Sequence, residues 1–160
     1  MKRLLMTIVA AMMVCSMAIG ADRMFFVSRN LNCNIIVYDL QMKNGALDVE
    51  NPLHVYWYNQ ENNPVTTNEL NFIQRKMAYG YSVTRKGQNE VWIKLKAYNK
   101  REVHICKRDG KWVALATING KECVLTEIYA HCLSKTSCDY MHIIGTALSD
   151  GSQQKEKVKG

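Results

Sequence analysis

Apolar and polar residues alternate with a period of two along most of this chain, and short clusters of asparagine, glycine and aspartate interrupt them. A period of two is that of a β-strand, whose side chains project to opposite faces in turn. It predicts strands over residues 24–29, 35–40, 53–58, 91–98, 102–108, 111–118, 121–130 and 140–148. Residues 30–34 and Lys43-Asn44-Gly45 read as turns, because asparagine and glycine supply the dihedrals that turns need. In the third strand His54, Tyr56 and Tyr58 share one face and Leu53, Val55 and Trp57 the other.

One segment departs from this period. Thr66 and Glu69 have capping-box spacing, Leu70, Ile73 and Met77 follow at helical intervals, and Gly80 can close a C-terminus. They predict one α-helix of about 12 residues, a length that is marginal alone and so requires packing against the sheet.

Asp109-Gly110 and Asn119-Gly120 are the two-residue turns that suit the twist of a β-hairpin. They set Arg108 opposite Lys111 and Ile118 opposite Lys121. Alternation then collects Val103, Ile105, Trp112, Ala114, Ala116, Ile118, Cys123 and Leu125 on one face. His104, Cys106, Val113, Leu115, Thr117, Val124 and Thr126 fall on the other. The predicted fold is mainly β, an antiparallel up-and-down barrel of about eight or nine strands with one α-helix, with a β-sandwich as the alternative.

The N-terminus follows another pattern. Lys2 and Arg3 precede an uncharged apolar stretch over residues 4–19, and Ala18 and Gly20 are small residues suited to cleavage after Gly20. This is the form of an export signal; an uncleaved anchor and a lipoprotein modified at Cys15 are the competing readings. The chain thus divides into a signal peptide at 1–20, a single mainly β domain at 21–150 and a solvated basic tail at 151–160, for which a short final hairpin is the alternative. No stable transmembrane segment is expected after cleavage, and the location is periplasmic or secreted.

Charge changes the picture little. The formal +7 of the chain becomes +5 without Lys2 and Arg3, with 19 basic residues against 14 acidic. A mild positive balance favours anionic neighbours, yet no basic helix, zinc-finger spacing or aromatic ribonucleoprotein signature marks a nucleic-acid module. Of six cysteines, five follow residue 20. An odd number leaves at least one thiol unpaired within a monomer. Cys106 and Cys123 fall on opposite faces and are not expected to bond, whereas Cys132 and Cys138 bracket a five-residue polar loop and form the preferred disulfide.

Candidate chemistry is sparse. His104 with Cys106, and His131, Cys132, Cys138 and His142, carry zinc-type ligands, but there is no Cys-x-x-Cys pair, and no metal or other cofactor is expected. No nucleophile elbow or phosphate loop is present. Asp39, Asp48, Glu50, Glu61 and Glu69 are carboxylates without a readable pairing. No catalytic residue is therefore named. Aromatic side chains are the better lead: Tyr56, Trp57, Tyr58, Trp92 and Tyr98 are the expected ligand-binding residues, with Lys94 and Lys96 adding positive charge beside Trp92 and Tyr98.

Three runs carry a resemblance: Asn34-Ile35-Ile36-Val37-Tyr38, Asn51-Pro52-Leu53-His54-Val55-Tyr56-Trp57, and Glu69-Leu70-Asn71-Phe72-Ile73-Gln74-Arg75-Lys76-Met77-Ala78-Tyr79-Gly80. Together they are similar to the bacterial family known as domain of unknown function 4833. The resemblance implies a compact exported domain and brings no activity or binding residues with it. The stretch from Cys123 to Cys138 falls outside it. The expected function is a non-catalytic β domain of the cell envelope that holds a small molecule or glycan in the barrel mouth. A structural or envelope-protein-binding component with a filled barrel, and an enzyme with an unrecognised site, are the alternatives.

Overall fold

The computed structural model describes residues 23–160, so the signal read over residues 1–20 lies outside the described residues. Thirteen strands and one helical turn follow in order: β1 (Arg23–Arg29), β2 (Asn32–Leu40), β3 (Met42–Lys43), β4 (Ala46–Leu47), β5 (Leu53–Asn59), β6 (Thr66–Glu69), a π-helical turn (Gln74–Ala78), β7 (Tyr81–Gly87), β8 (Glu90–Leu95), β9 (Val103–Arg108), β10 (Lys111–Ile118), β11 (Lys121–Ser134), β12 (Ser137–Ala147) and β13 (Gln153–Lys159). The fold is mainly β, with a curled half-barrel of nine strands in the order β6-β5-β2-β1-β11-β10-β9-β8-β7; β12 and β13 extend from the other edge of β11.

From β7 to β13 each strand pairs antiparallel with the next; the part from β8 to β11 is the meander expected, and the strands on either side lengthen it. The hairpin registers are also as expected: Arg108 lies opposite Lys111 and Ile118 opposite Lys121. Asp109, Gly110, Asn119 and Gly120 all have positive φ, which ordinary side chains avoid and these residues tolerate. The long β11 joins the two flanks. Its first half pairs with β10, and its second half pairs with β1 in parallel over Phe26 to Arg29.

The inner face buries Phe25, Ile36, Tyr38, Val55, Ile93, Ile105, Ala114, Ile118, Cys123 and Leu125 in one cluster. Cys106 and Leu115 are buried apart from that cluster, and Cys106 and Cys123 are unbonded. The curled sheet does not complete its ladder between β5 and β7. Instead the Tyr81 hydroxyl donates to the Leu53 carbonyl at 2.8 Å and accepts from the Leu53 N–H at 3.0 Å. One phenol thus satisfies both backbone groups of a strand residue beyond the reach of the short β6.

Two expectations need correction, and one strand was not foreseen. The α-helix over residues 66–80 is absent in its first part: Thr66–Glu69 is a strand paired with Tyr56 to Asn59. β-branched threonines suit that pairing, and the tertiary partner overrides the capping-box spacing. The box forms five residues later, where Asn71 Oδ1 accepts from Gln74 N at 2.8 Å and Gln74 Oε1 accepts from Asn71 N at 3.0 Å. Gly80 does follow the turn, and a Cβ there would lie 1.8 Å from the Arg75 carbonyl oxygen. The tail read as solvated over residues 151–160 contains β13, which pairs with β12 from Tyr140 to Thr146. Its lysines hold the exposed face, while Val158 packs on the core and Glu156 forms an ion pair with Arg101 at 2.8 Å. Lastly, Tyr81–Gly87 is a strand that alternation in the sequence did not bring out.

Candidate ligand-binding cavity

Between the two flanks of the half-barrel is a cavity of about 340 Å³ with a predominantly apolar wall. Val27 of β1, Tyr38 of β2, Ile128 and Ala130 of β11 and Met141 of β12 line it from the sheet. Met77, Ala78 and Tyr79 line it from the helical turn, and Leu95, Ala97 and Tyr98 from the end of β8 and the loop beyond. The inward alternation of β2, with Ile36, Tyr38 and Leu40 all in the core cluster, is what delivers Tyr38 here.

Hydrogen bonds hold the walls in place. Tyr38 stacks on Phe25 with ring centres 4.3 Å apart, and its hydroxyl donates to the Tyr79 carbonyl at 2.7 Å. Burial pushes the Tyr38 phenol far above its ordinary range, so it stays a neutral donor. Tyr79 meets the edge of Trp57 at 5.5 Å, and Trp57 Nε1 donates to Gln74 Oε1 at 3.2 Å, which ties the helical turn to β5.

Two cations stand at this cavity, Arg29 and Lys135. The Arg29 guanidinium lies 4.7 Å over the Trp57 ring and donates to the Tyr79 hydroxyl at 3.3 Å. Its Nε is buried with no hydrogen-bond partner, and no carboxylate among the described residues forms an ion pair with Arg29 or Lys135. A buried unpaired donor of a charged group is costly unless something satisfies it. The arrangement is therefore an apolar chamber with unspent positive charge at its edge.

Cys132 and Cys138 form part of the same wall and sit at disulfide distance on opposing positions of the β11–β12 hairpin. Asn30 clamps Cys132: its Oδ1 accepts from Cys132 N at 2.7 Å and its Nδ2 donates to Cys132 O at 3.1 Å.

The structure does not bring the five expected aromatic residues together. Tyr98 lines the cavity, and Trp57 stands behind Tyr79. Tyr56 and Tyr58 lie on the outer face, where the Tyr56 hydroxyl donates to Asp39 and Arg23 sits 5.4 Å over the Tyr58 ring. Trp92 has neighbours on its ring: His104 stacks on it at 4.1 Å and the Arg85 guanidinium lies 4.3 Å from its centre. Alternation did not single out Arg29, Met77, Tyr79 or Lys135, because what unites them is tertiary assembly from separate elements.

Two other clefts are more polar. One of about 550 Å³ is lined by Asp48, Glu50, His54, Arg75 and Tyr81, and next to it His54 Nε2 lies 2.6 Å from Glu69, whose carboxyl the imidazole holds below the usual range. Both partners of that pair are substantially exposed. The other, of about 360 Å³, includes Trp92 and His104, with His104 Nε2 2.7 Å from Glu90. Burial pushes the Cys106 and Cys123 thiols up, which makes them poor nucleophiles near neutral pH. Among the described residues no group of three or more histidines, cysteines or carboxylates is placed to hold a metal ion, and no helix is long and apolar enough to cross a membrane.

Comparison with known proteins gives one match. A family model described as domain of unknown function 4833 matches residues 25–157, a span that includes the cysteine-rich stretch from Cys123 to Cys138. No curated protein and no solved structure matches the chain.

Proposed function

Because the chain belongs to the family described as domain of unknown function 4833, whose description names no chemistry, we propose from the cavity itself that it is a non-catalytic binding domain for a small amphiphile. The ligand has an apolar body that fills the space between Leu95, Tyr98, Ile128 and Met141, and an anionic end that meets Arg29 and Lys135. The observation that carries this reading is the buried, unpartnered Arg29 Nε at the edge of an apolar cavity of about 340 Å³. A volume of that size lies at the small end of ligand pockets, which are mostly apolar with a few placed polar groups. Such a domain would act in the cell envelope, where the export signal read at residues 1–20 would deliver it. The expected disulfide between Cys132 and Cys138 would brace the chamber wall there.

Titration with anilinonaphthalene sulfonate, which is apolar and anionic, tests this. A saturable rise in fluorescence at one site per chain is expected. Ala130→Phe, which fills the cavity from β11, should abolish it. Arg29→Gln should weaken it roughly tenfold, equivalent to about 1.4 kcal/mol. Binding unchanged in both variants overturns the reading and favours a structural or protein-interaction role.

A further inference from the structure

We propose that the cavity end of the protein docks on an anionic lipid bilayer, with Phe72, Ile73, Met77 and Leu133 entering the interface. A short helical turn on a sheet ordinarily directs its apolar side chains inward. Here Leu70, just before the turn, and Tyr79, just after it, do so. Phe72, Ile73 and Met77 are 74%, 69% and 68% exposed, and Leu133 on the β11–β12 hairpin is 70% exposed. Water disfavours four large apolar side chains this open at one end of a folded domain, and such exposure marks a surface that meets another phase or partner.

The turn and the hairpin tip belong to one end, since Met77 from the turn and Lys135 and Thr136 from the hairpin line the same cavity. Charge decides what that end meets. Arg75 and Lys76 lie on the turn and Lys135 two residues beyond Leu133, and the carboxylates nearest to them in sequence are Glu69 and Asp139. Arg75 is partly neutralised by Glu69 at 3.3 Å, whereas the Lys76 ammonium lies 5.5 Å over the Phe72 ring without an acidic partner among the described residues. Apolar side chains at the tip with lysines immediately beside them match the two layers of an anionic membrane surface, hydrocarbon below and phosphate above. A protein partner would more commonly present both charge signs to a rim of this kind.

Phe72, Ile73, Lys76 and Leu133 are not in the cavity wall, whereas Met77 and Lys135 are. The variants that test docking are therefore placed at Phe72, Ile73 and Lys76, so that docking stands or falls apart from the amphiphile reading.

The test is flotation of residues 21–160, which contain every described strand and the whole described core, with vesicles of phosphatidylglycerol and phosphatidylethanolamine or of phosphatidylcholine alone. The protein should float with the anionic vesicles and not with the neutral ones. The double variant Phe72→Ser/Ile73→Ser should lower the bound fraction at least about tenfold, and Lys76→Glu by a smaller factor. Both should keep the parent melting temperature and the parent titration by anilinonaphthalene sulfonate. No flotation with anionic vesicles, or flotation that the double variant does not change, overturns the proposal. So does a dimer in sedimentation that the double variant dissociates, because the patch would then be covered by a second copy.

Discussion

Two stretches of the same inner face are filled in opposite ways. Along β8 to β11, Ile93, Ile105, Ala114, Ile118 and Cys123 have no exposed surface at all. At the mouth, three tyrosines, two methionines and three alanines leave about 340 Å³ open. Branched aliphatic side chains have few rotamers and no polar atom to place, so neighbouring strands close over them to native density. Tyrosines at the mouth carry hydroxyls that need partners. With the Tyr38 hydroxyl fixed on the Tyr79 carbonyl and the Tyr79 hydroxyl on Arg29, the walls cannot fall inward without breaking those bonds. The contrast teaches that this interior is one core with a stiff floor and a propped mouth.

The largest break in that contrast should come from the floor. Ile118→Ala removes a fully buried side chain from the end of β10 that pairs with β11, and should cost about 2 to 5 kcal/mol in urea unfolding. A cost below 1 kcal/mol would mean that the floor relaxes as freely as the mouth, and the distinction would be lost. Next in size is the seam that joins the two flanks. Tyr81→Phe keeps the ring but strips both hydrogen bonds from Leu53, leaving its N–H and C=O unpaired, and should cost roughly 1 to 3 kcal/mol. An unchanged midpoint would show that water replaces the hydroxyl there, so that the seam is wet and the half-barrel open on that side.

The floor was also the legible part. Its registers follow from two dipeptides, Asp109-Gly110 and Asn119-Gly120, because a hairpin is a local decision in which the turn alone fixes which residues face each other. The same logic kept Cys106 and Cys123 apart, whereas Cys132 and Cys138 were matched through the short polar loop they bracket. The mouth was hidden for the converse reason. Its walls come from β1, β2, the helical turn, the loop after β8, β11 and β12, and no local period reports a parallel pairing between Phe26 and Glu127. Thr66 to Glu69 misled because capping spacing is a helical signal only when no strand edge competes, and β5 supplies that edge. Trp92 and Tyr58 show a limit of another kind. Aromatic residues on a strand announce contact area, but whether a cation or a ring already occupies their faces is decided by neighbours distant in sequence, such as Arg85 and Arg23.

Alkali gives the smallest effect per step of the variable, and the finest probe of where the floor ends. Tyr38 belongs to both regions, since its ring stacks in the core and its hydroxyl reaches the cavity wall. Burial raises its folded pKa above the unfolded value of about 10, and burial raises that of Tyr81 as well. Above the unfolded value the unfolded chain loses protons that the folded chain retains. The stability these groups contribute is therefore complete below pH 10 and declines as pH rises beyond it. Tyr38 alone should remove about 1.4 kcal/mol per pH unit until its folded form titrates. Urea unfolding at a series of pH values checks the slope, and Tyr38→Phe should lower it by that amount while Tyr81 keeps the rest. A second reading comes from tyrosinate absorbance of the folded protein, in which Tyr38 should stay silent while exposed tyrosines ionise. Should Tyr38 ionise with them, water from the mouth reaches its hydroxyl, and the boundary between floor and mouth lies one inward-facing residue deeper along β2, at Ile36.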